Sequence, residues 1–184
     1  MSKTVKNLLF IGLMLASITS QADFAQITKA PDVAAKSYIL QDYASGKVIA
    51  AVNAGQHLPP ASITKLMTAY VVSKELASGN IALEDEVLIS EKAWRMVGSR
   101  SFIEVNSKVS VEVLLRGMII QSGNDAAVAL AEHIAGSEET FAQMMNQYAQ
   151  QLGMFNTNYQ NSTGLPSKEH YTTAEDIAIL SAAV

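Results

Sequence analysis

The 184-residue sequence contains no cysteine, which excludes disulfide bonds, thiolate nucleophiles and cysteine-based zinc or iron–sulfur sites. It also has no run of basic residues after the first six positions. Together with a formal net charge of −4, this argues against a protein that binds nucleic acid. Only 16% of the residues are charged and 49% are hydrophobic, so the chain is too apolar to be disordered. Any catalytic nucleophile must be an oxygen or an amine.

Several motifs of catalytic and cofactor sites are also missing. The three histidines, His57, His133 and His170, are far apart in the sequence, and none has the His-Glu-x-x-His spacing of a zinc helix. No Gly-x-Ser-x-Gly elbow and no glycine-rich phosphate loop occurs. We therefore predict no metal and no cofactor, and structural roles for the histidines.

The longest apolar run near the N-terminus is too short for a membrane-spanning helix. It extends for 11 residues from Leu8 to Ile18, whereas a span needs about 20. Two lysines precede it, and Ser20-Gln21-Ala22 follows with small residues at a suitable cleavage position. This pattern predicts a cleavable signal peptide over residues 1–22 and export to the periplasm. Residues 23–184 would then form the mature chain.

The mature chain shows alternating strand and helix patterns, which predict an α+β fold. Residues 37–40 and 48–52 have strand character around a turn at 44–47, which is typical of a hairpin. Helical spacing, N-capping residues and terminal glycines predict the remaining elements. These are helices from 62 to about 78, from 110 to about 120, at 125–134, at 138–152 and after Thr172 or Thr173, a strand at 86–89, and loops near 94–102 and at 156–171.

Ser62 and Lys65 are the first candidates for chemistry. Three residues apart on a helix, their side chains would lie on one face, near enough for an amine to take the hydroxyl proton. An ordinary lysine is a cation at neutral pH, but burial against Ile63, Leu66 and Met67 would lower its pKa. A Ser-x-x-Lys sequence is also expected about once by chance in a chain of this length. A capping serine followed by a surface lysine would look the same.

The second candidate is the tripeptide Ser122-Gly123-Asn124, which lies between two apolar helices. The same three letters occur at Ser78-Gly79-Asn80, where a helix is predicted to end with Gly79 in the left-handed conformation. The tripeptide alone therefore proves nothing. Only the later copy is in a context where its polar groups would be held inside the fold.

Read together, these segments resemble the penicillin-binding protein and serine β-lactamase superfamily, whose motifs are Ser-x-x-Lys, Ser-Asp-Asn and Lys-Thr-Gly. The sequence is most similar to the low-molecular-mass D-alanyl-D-alanine carboxypeptidases. The segments that carry this likeness run from about residue 34 to 180, and they are Pro60–Thr68, Ile120–Ala126, Leu152–Met154, Asn156-Thr157, Gly164-Leu165 and Thr172–Ala174.

The resemblance implies an activity and a role for each site residue. Ser62 would attack the carbonyl between the two terminal D-alanines of a peptidoglycan pentapeptide, with Lys65 as the general base. Ser122 would relay a proton to the leaving amine, and Asn124 would bind the substrate amide and help to position Lys65. β-Lactam antibiotics would acylate Ser62 as covalent inhibitors. The implied fold is β-lactamase/penicillin-binding-protein-like, an antiparallel sheet with a helical subdomain.

One departure from the family pattern is that none of the ten lysines is followed by Thr-Gly or Ser-Gly. We therefore expect the third motif to lie on C-terminal strands missing from this chain. Residues 23–184 would then form a partial catalytic domain. The same missing region would hold the anchor through which such proteins associate with the inner membrane. Losing one oxyanion donor typically costs 10² to 10³ in rate, so the chain alone could be inactive.

Two alternatives stay open at this point. The first is a non-catalytic peptidoglycan-binding protein, or an inactive fragment. The second is a serine β-lactamase, which is less favoured because class A members carry a Glu-x-x-x-Asn spacing that this sequence lacks.

Overall fold

Helices form most of the regular secondary structure in the part of the chain described by the computed structural model, which covers residues 30–184. The predicted signal peptide lies outside the described residues. The elements are β1 (Tyr38–Gln41), β2 (Val48–Val52), a 3₁₀ turn (Ala61–Ile63), α1 (Thr64–Ala77), β3 (Glu86–Leu88), α2 (Glu91–Trp94), β4 (Lys108–Ser110), α3 (Val111–Gln121), α4 (Asn124–Ala135), α5 (Glu138–Leu152) and α6 (Ala174–Ala183).

The strands form two separate antiparallel pairs. β1 pairs with β2, with Tyr38 opposite Val52, which confirms the predicted hairpin. β3 pairs with β4, with Val87 opposite Val109. Antiparallel strands together with a set of packed helices confirm the α+β class.

Local signals predicted most helix ends well. α5 begins after Ser137, whose hydroxyl accepts a hydrogen bond from the Thr140 amide, and it ends at Gly153 with a φ of 88°. Thr173 caps α6 by accepting from the Asp176 amide. Such caps act within one turn of the chain, so they can be recognised from sequence.

The structure differs from the prediction in two places. On either side of the predicted loop near 94–102 lie α2 and β4, which were not predicted because elements of four and three residues are too short to show a hydrophobic period. The helix expected to begin at Ser62 begins instead at Thr64, after the 3₁₀ turn. Ser62 therefore lies on the turn and not on α1 itself.

The core is organised around α4. Every residue from Asn124 to Ala131 is buried, and four of them are alanines, whose small side chains let neighbouring helices approach closely. One hydrophobic cluster joins α4 to α3 and β3. A second cluster joins its Ala131 to α1, α5 and α6. This packing brings the first turn of α1 next to the first turn of α4.

Helix α1 is buried on most sides over its first nine residues. Within residues 30–184, no helix combines the length and the apolar character needed to cross a membrane.

Candidate active site

The turn before α1 presents Ser62 to solvent. Two prolines precede it, and Ala61 adopts a left-handed conformation with a φ of 48°, which is uncommon for a residue with a side chain. Gly164 packs against this strained residue so closely that an added Cβ would overlap the Ala61 carbonyl. The contact with Gly164 holds the turn in place. Ser62 is exposed, so its hydroxyl is available to a ligand.

Lys65 lies one turn later and is buried, with 6% of its surface exposed. Its Nζ donates to Asn124 Oδ1 at 2.7 Å and to the Thr163 carbonyl at 2.8 Å, and it lies 3.5 Å from Ser62 Oγ. All three partners are neutral. The ammonium is held in a fixed position beside the serine hydroxyl without a carboxylate among these partners.

Burial lowers the pKa of Lys65 to about 8, because the charged ammonium loses hydration that neutral partners replace only in part. About one tenth of the side chain is then neutral at pH 7, whereas an ordinary lysine is almost entirely charged. The residue can therefore accept a proton near neutral pH.

The tripeptide 122–124 forms the link between α3 and α4. Ser122 ends α3 in the left-handed conformation, with a φ of 56°, and Asn124 opens α4. The Asn124 side chain bridges two segments, since its Oδ1 accepts from Lys65 and its Nδ2 donates to the Val97 carbonyl at 2.6 Å. Its backbone amide donates to the Ser99 carbonyl at 2.8 Å.

A cavity of about 350 Å³ lies between α1 and α3. Ser62, Lys65 and Ser122 supply its polar groups, and Leu66 and Met118 belong to its apolar wall. A hydroxyl, a poised amine and a second hydroxyl therefore face the same space. This is the arrangement that acyl transfer through a serine requires.

A turn at residues 161–164 contacts Lys65 from a distant part of the chain. Asn161 Oδ1 accepts from the Thr163 amide at 3.2 Å and from the Gly164 amide at 2.7 Å. These bonds fold the turn so that the Thr163 carbonyl points at Lys65. Gly164 needs its left-handed φ of 87° here and has no room for a side chain against Ala61.

The chain is similar in sequence to known D-alanyl-D-alanine carboxypeptidases. The family profile described as D-alanyl-D-alanine carboxypeptidase matches residues 24–184. The chain belongs to this family. The D-alanyl-D-alanine carboxypeptidase DacC of Escherichia coli (strain K12) is 46% identical over 165 residues, which cover 86% of this chain and 41% of that protein. DacF of Bacillus subtilis (strain 168) is 41% identical over 181 residues, or 97% of this chain and 46% of that protein.

Solved structures of related proteins confirm the fold. The D-alanyl-D-alanine carboxypeptidase DacD from Francisella tularensis superposes with a TM-score of 0.81 at 40% identity, covering 83% of this chain and 37% of that one. Penicillin binding protein 5 from Haemophilus influenzae gives a TM-score of 0.80 at 46% identity, covering 83% and 45%. The predicted penicillin-binding-protein-like fold is confirmed, and the chain spans less than half the length of these relatives.

The structure brings the four predicted site residues of this family member together. Ser62, Lys65 and Ser122 line one cavity, and Asn124 bonds directly to Lys65. Of the apolar residues expected around Lys65, Ile63 and Leu66 line the cavity with it, and Met67 lies in the hydrophobic core. Ser62 itself is exposed.

Sequence reasoning missed the contribution of the 161–164 turn. Lys65 donates there to the backbone carbonyl of Thr163. Any residue could supply that carbonyl, so the residue type at position 163 does not indicate the contact. His170, predicted to be structural, is buried with its Nε2 2.9 Å from Thr64 Oγ1. Its Nδ1 accepts from the Gln160 amide at 3.2 Å, so Nε2 carries the proton and donates to Thr64. This bond ties the long loop to the first residue of α1.

Proposed function

We propose that this chain carries the nucleophile and the general base of a serine-type D-alanyl-D-alanine carboxypeptidase acting on peptidoglycan stem peptides. The observation that supports this most strongly is Lys65, a buried lysine with a pKa of about 8 whose Nζ lies 3.5 Å from Ser62 Oγ. A serine hydroxyl becomes a nucleophile when a nearby base removes its proton, and a neutral amine at this distance can do so.

The proposed reaction has two halves. In the first, Lys65 takes the proton as Ser62 Oγ attacks the carbonyl between the terminal D-alanines, and the peptide bond breaks. Ser122 gives its proton to the leaving amine and regains one from the Lys65 ammonium, so that D-alanine departs, Lys65 is neutral again and an acyl ester remains on Ser62. In the second, water attacks the ester and gives a proton to Lys65, which passes it to Ser62 Oγ as the shortened peptide is released.

In this scheme Asn124 has two roles. Its Oδ1 holds the Lys65 ammonium, and from the same position in the site it would bind the amide of the substrate. A β-lactam would enter the same reaction because its strained amide resembles the peptide end, and it would leave a stable ester on Ser62. We also propose that residues 1–22 are removed on export and that residues 23–184 form part of a periplasmic catalytic domain.

The test uses a fluorescent penicillin with the 184-residue chain, and intact mass spectrometry to locate the adduct. We expect a stable adduct on Ser62, none in Ser62→Ala, and labelling that rises between pH 6 and 9 as Lys65 loses its proton. Rapid turnover of the drug would indicate a β-lactamase. A folded chain that forms no adduct would indicate an inactive fragment or a non-catalytic peptidoglycan-binding protein, and a flat profile would remove Lys65 from the base role.

A further inference from the structure

A buried carboxylate lies outside the four-residue site and has no part in the reaction as proposed. Glu138 is the first residue of α5, and only 7% of its surface is exposed. Glutamate at a helix N-terminus ordinarily complements the helix dipole from the surface. Burying one is costly unless its oxygens are paired, so its partners indicate what it does.

One oxygen of Glu138 is taken up by Ser162. Glu138 Oε1 accepts from the Ser162 amide at 3.0 Å and from the Ser162 hydroxyl at 2.8 Å. Ser162 is completely buried. Because the same oxygen holds both the backbone and the side chain, Ser162 can neither shift nor rotate without breaking a hydrogen bond to a charged group.

The carbonyls of Ser162 and Thr163 both accept hydrogen bonds from side chains of α1. The Ser162 carbonyl accepts from Thr68 Oγ1 at 2.7 Å, and the Thr163 carbonyl accepts from Lys65 Nζ at 2.8 Å. Thr68 and Lys65 are three residues apart and so lie on one face of the helix. Ser162 directly precedes Thr163, so the position of the Thr163 carbonyl, which Lys65 contacts, depends on the position of Ser162.

The second oxygen of Glu138 offsets the cost of the buried charge. Glu138 Oε2 lies 3.1 Å from Lys92 Nζ on α2, and the same ammonium lies 2.8 Å from Glu139 Oε1. Glu139 is exposed and makes no contact with the 161–164 turn among the hydrogen bonds of the described residues. The two neighbouring glutamates thus share a cation and a helix end but differ in their contact with Ser162.

We propose that Glu138 is a positioning residue, which holds the Ser162-Thr163 peptide against α1 and thereby keeps the Thr163 carbonyl on the ammonium of Lys65. The hydrogen bonds run from Glu138 to Ser162, and the next carbonyl in the chain reaches Lys65. The effect on Lys65 follows from these contacts alone. The effect on acylation rests also on the proposed function.

The first measurement does not depend on activity. In the chain labelled with ¹³Cε-lysine, the Lys65 signal is identified by its loss in Lys65→Arg, and it is titrated by NMR in Glu138→Ala, Glu138→Gln and Glu139→Ala. Burial causes the low pKa of Lys65, so a loosened turn that admits water raises it from about 8 toward 10.5. We expect a rise of about one pH unit in Glu138→Ala. We expect little change in Glu138→Gln, which keeps an acceptor oxygen, and none in Glu139→Ala.

The second measurement is the rate of penicillin acylation at pH 7. A rise of one unit leaves about one tenth as much neutral amine, so Glu138→Ala should acylate about tenfold more slowly while Glu139→Ala is unchanged. If the unaltered chain is not labelled at all, the proposed function fails, and the NMR titration still decides the positioning role.

Two results would overturn the proposal. One is a Lys65 titration in Glu138→Ala that matches Glu139→Ala. The other is an equal shift in Glu138→Gln and Glu138→Ala, which would assign the effect to charge and not to the bonds with Ser162. If Glu138→Ala does not fold, as judged by its unfolding transition, Ser162→Ala replaces it. We then expect a smaller rise in the pKa of Lys65, and no rise would count against the proposal.

Discussion

The tripeptide Ser-Gly-Asn occurs at residues 78–80 and again at residues 122–124, each time directly after a helix. In the first copy Gly79 takes the left-handed conformation, with a φ of 70°, and a Cβ there would meet nothing within 4 Å. In the second copy Ser122 takes it, and Gly123 has an ordinary φ of −62°. An added Cβ at Gly123 would instead overlap Ser101 Oγ. The first glycine is needed for its backbone angle and the second for its small size.

The asparagines of the two copies also differ, in their exposure and in how far away their hydrogen-bond partners lie in the chain. Asn80 is exposed and donates through Nδ2 to Glu75 Oε2 at 2.7 Å, a contact with a residue only five positions earlier in the chain. Asn124 is 5% exposed, and its partners Lys65 and Val97 come from distant segments. Identical letters therefore have a local role in one place and connect three parts of the fold in the other. The comparison can be tested by making the same change in both copies.

The largest difference is expected for the serines. If Ser122 relays a proton as proposed, Ser122→Ala should slow acylation by a labelled penicillin by about 100-fold or more, since positioned proton transfer contributes 10² to 10⁴. Ser78→Ala removes an exposed hydroxyl and should change the rate by less than about twofold. Equal losses would show that the comparison assigns the wrong tripeptide to the site.

An intermediate effect is expected for the asparagines. Asn124→Asp places a carboxylate where Oδ1 now lies 2.7 Å from Lys65 Nζ, and an opposite charge favours the ammonium. The pKa of Lys65 should rise above its present value of about 8, so the midpoint of the acylation profile moves to more alkaline pH and the rate at pH 7 falls about tenfold or more. Asn80→Asp is the matched change and should leave the profile in place. A midpoint that stays near 8 in Asn124→Asp would contradict the role given to this contact.

The smallest effect is expected for the glycines, and it concerns stability. Gly123→Ala overpacks against Ser101 and should lower the free energy of unfolding in urea by about 1–3 kcal/mol. Gly79→Ala should cost about 1 kcal/mol through its backbone angle alone. Asparagine tolerates that angle, so Gly79→Asn should recover most of the loss while Gly123→Asn should worsen it. If asparagine improved both positions, the distinction between angle and space would be wrong.

Much of the fold and of the site could be predicted from sequence because the signals are local. The bounds of α5 follow from a capping serine and a terminal glycine on either side of it. Ser62 and Lys65 could be paired because three-residue spacing on one turn brings side chains together wherever the turn lies. The hairpin of β1 and β2 is likewise set by alternation and a short turn.

The parts that were missed depend on contacts between distant segments. α2 and β4 are too short to show a period and exist because the fold packs and pairs them. The Thr163 carbonyl is backbone, so no side chain marks it. Glu138 reads from sequence as an ordinary acidic residue at a helix start, and only its burial against Ser162 shows otherwise.

By itself, the sequence determined the family to which the chain belongs, and it singled out Ser62 and Lys65 as the candidate nucleophile and base, since these depend on residue type and short spacing. Only the tertiary structure shows that the second Ser-Gly-Asn contacts Lys65, and why Lys65 can be neutral near pH 7. The physical reason is that hydration and hydrogen-bond partners set the pKa of an amine. The two closest hydrogen-bond partners of Lys65 are 59 and 98 positions away in the chain, and they meet Lys65 only after folding.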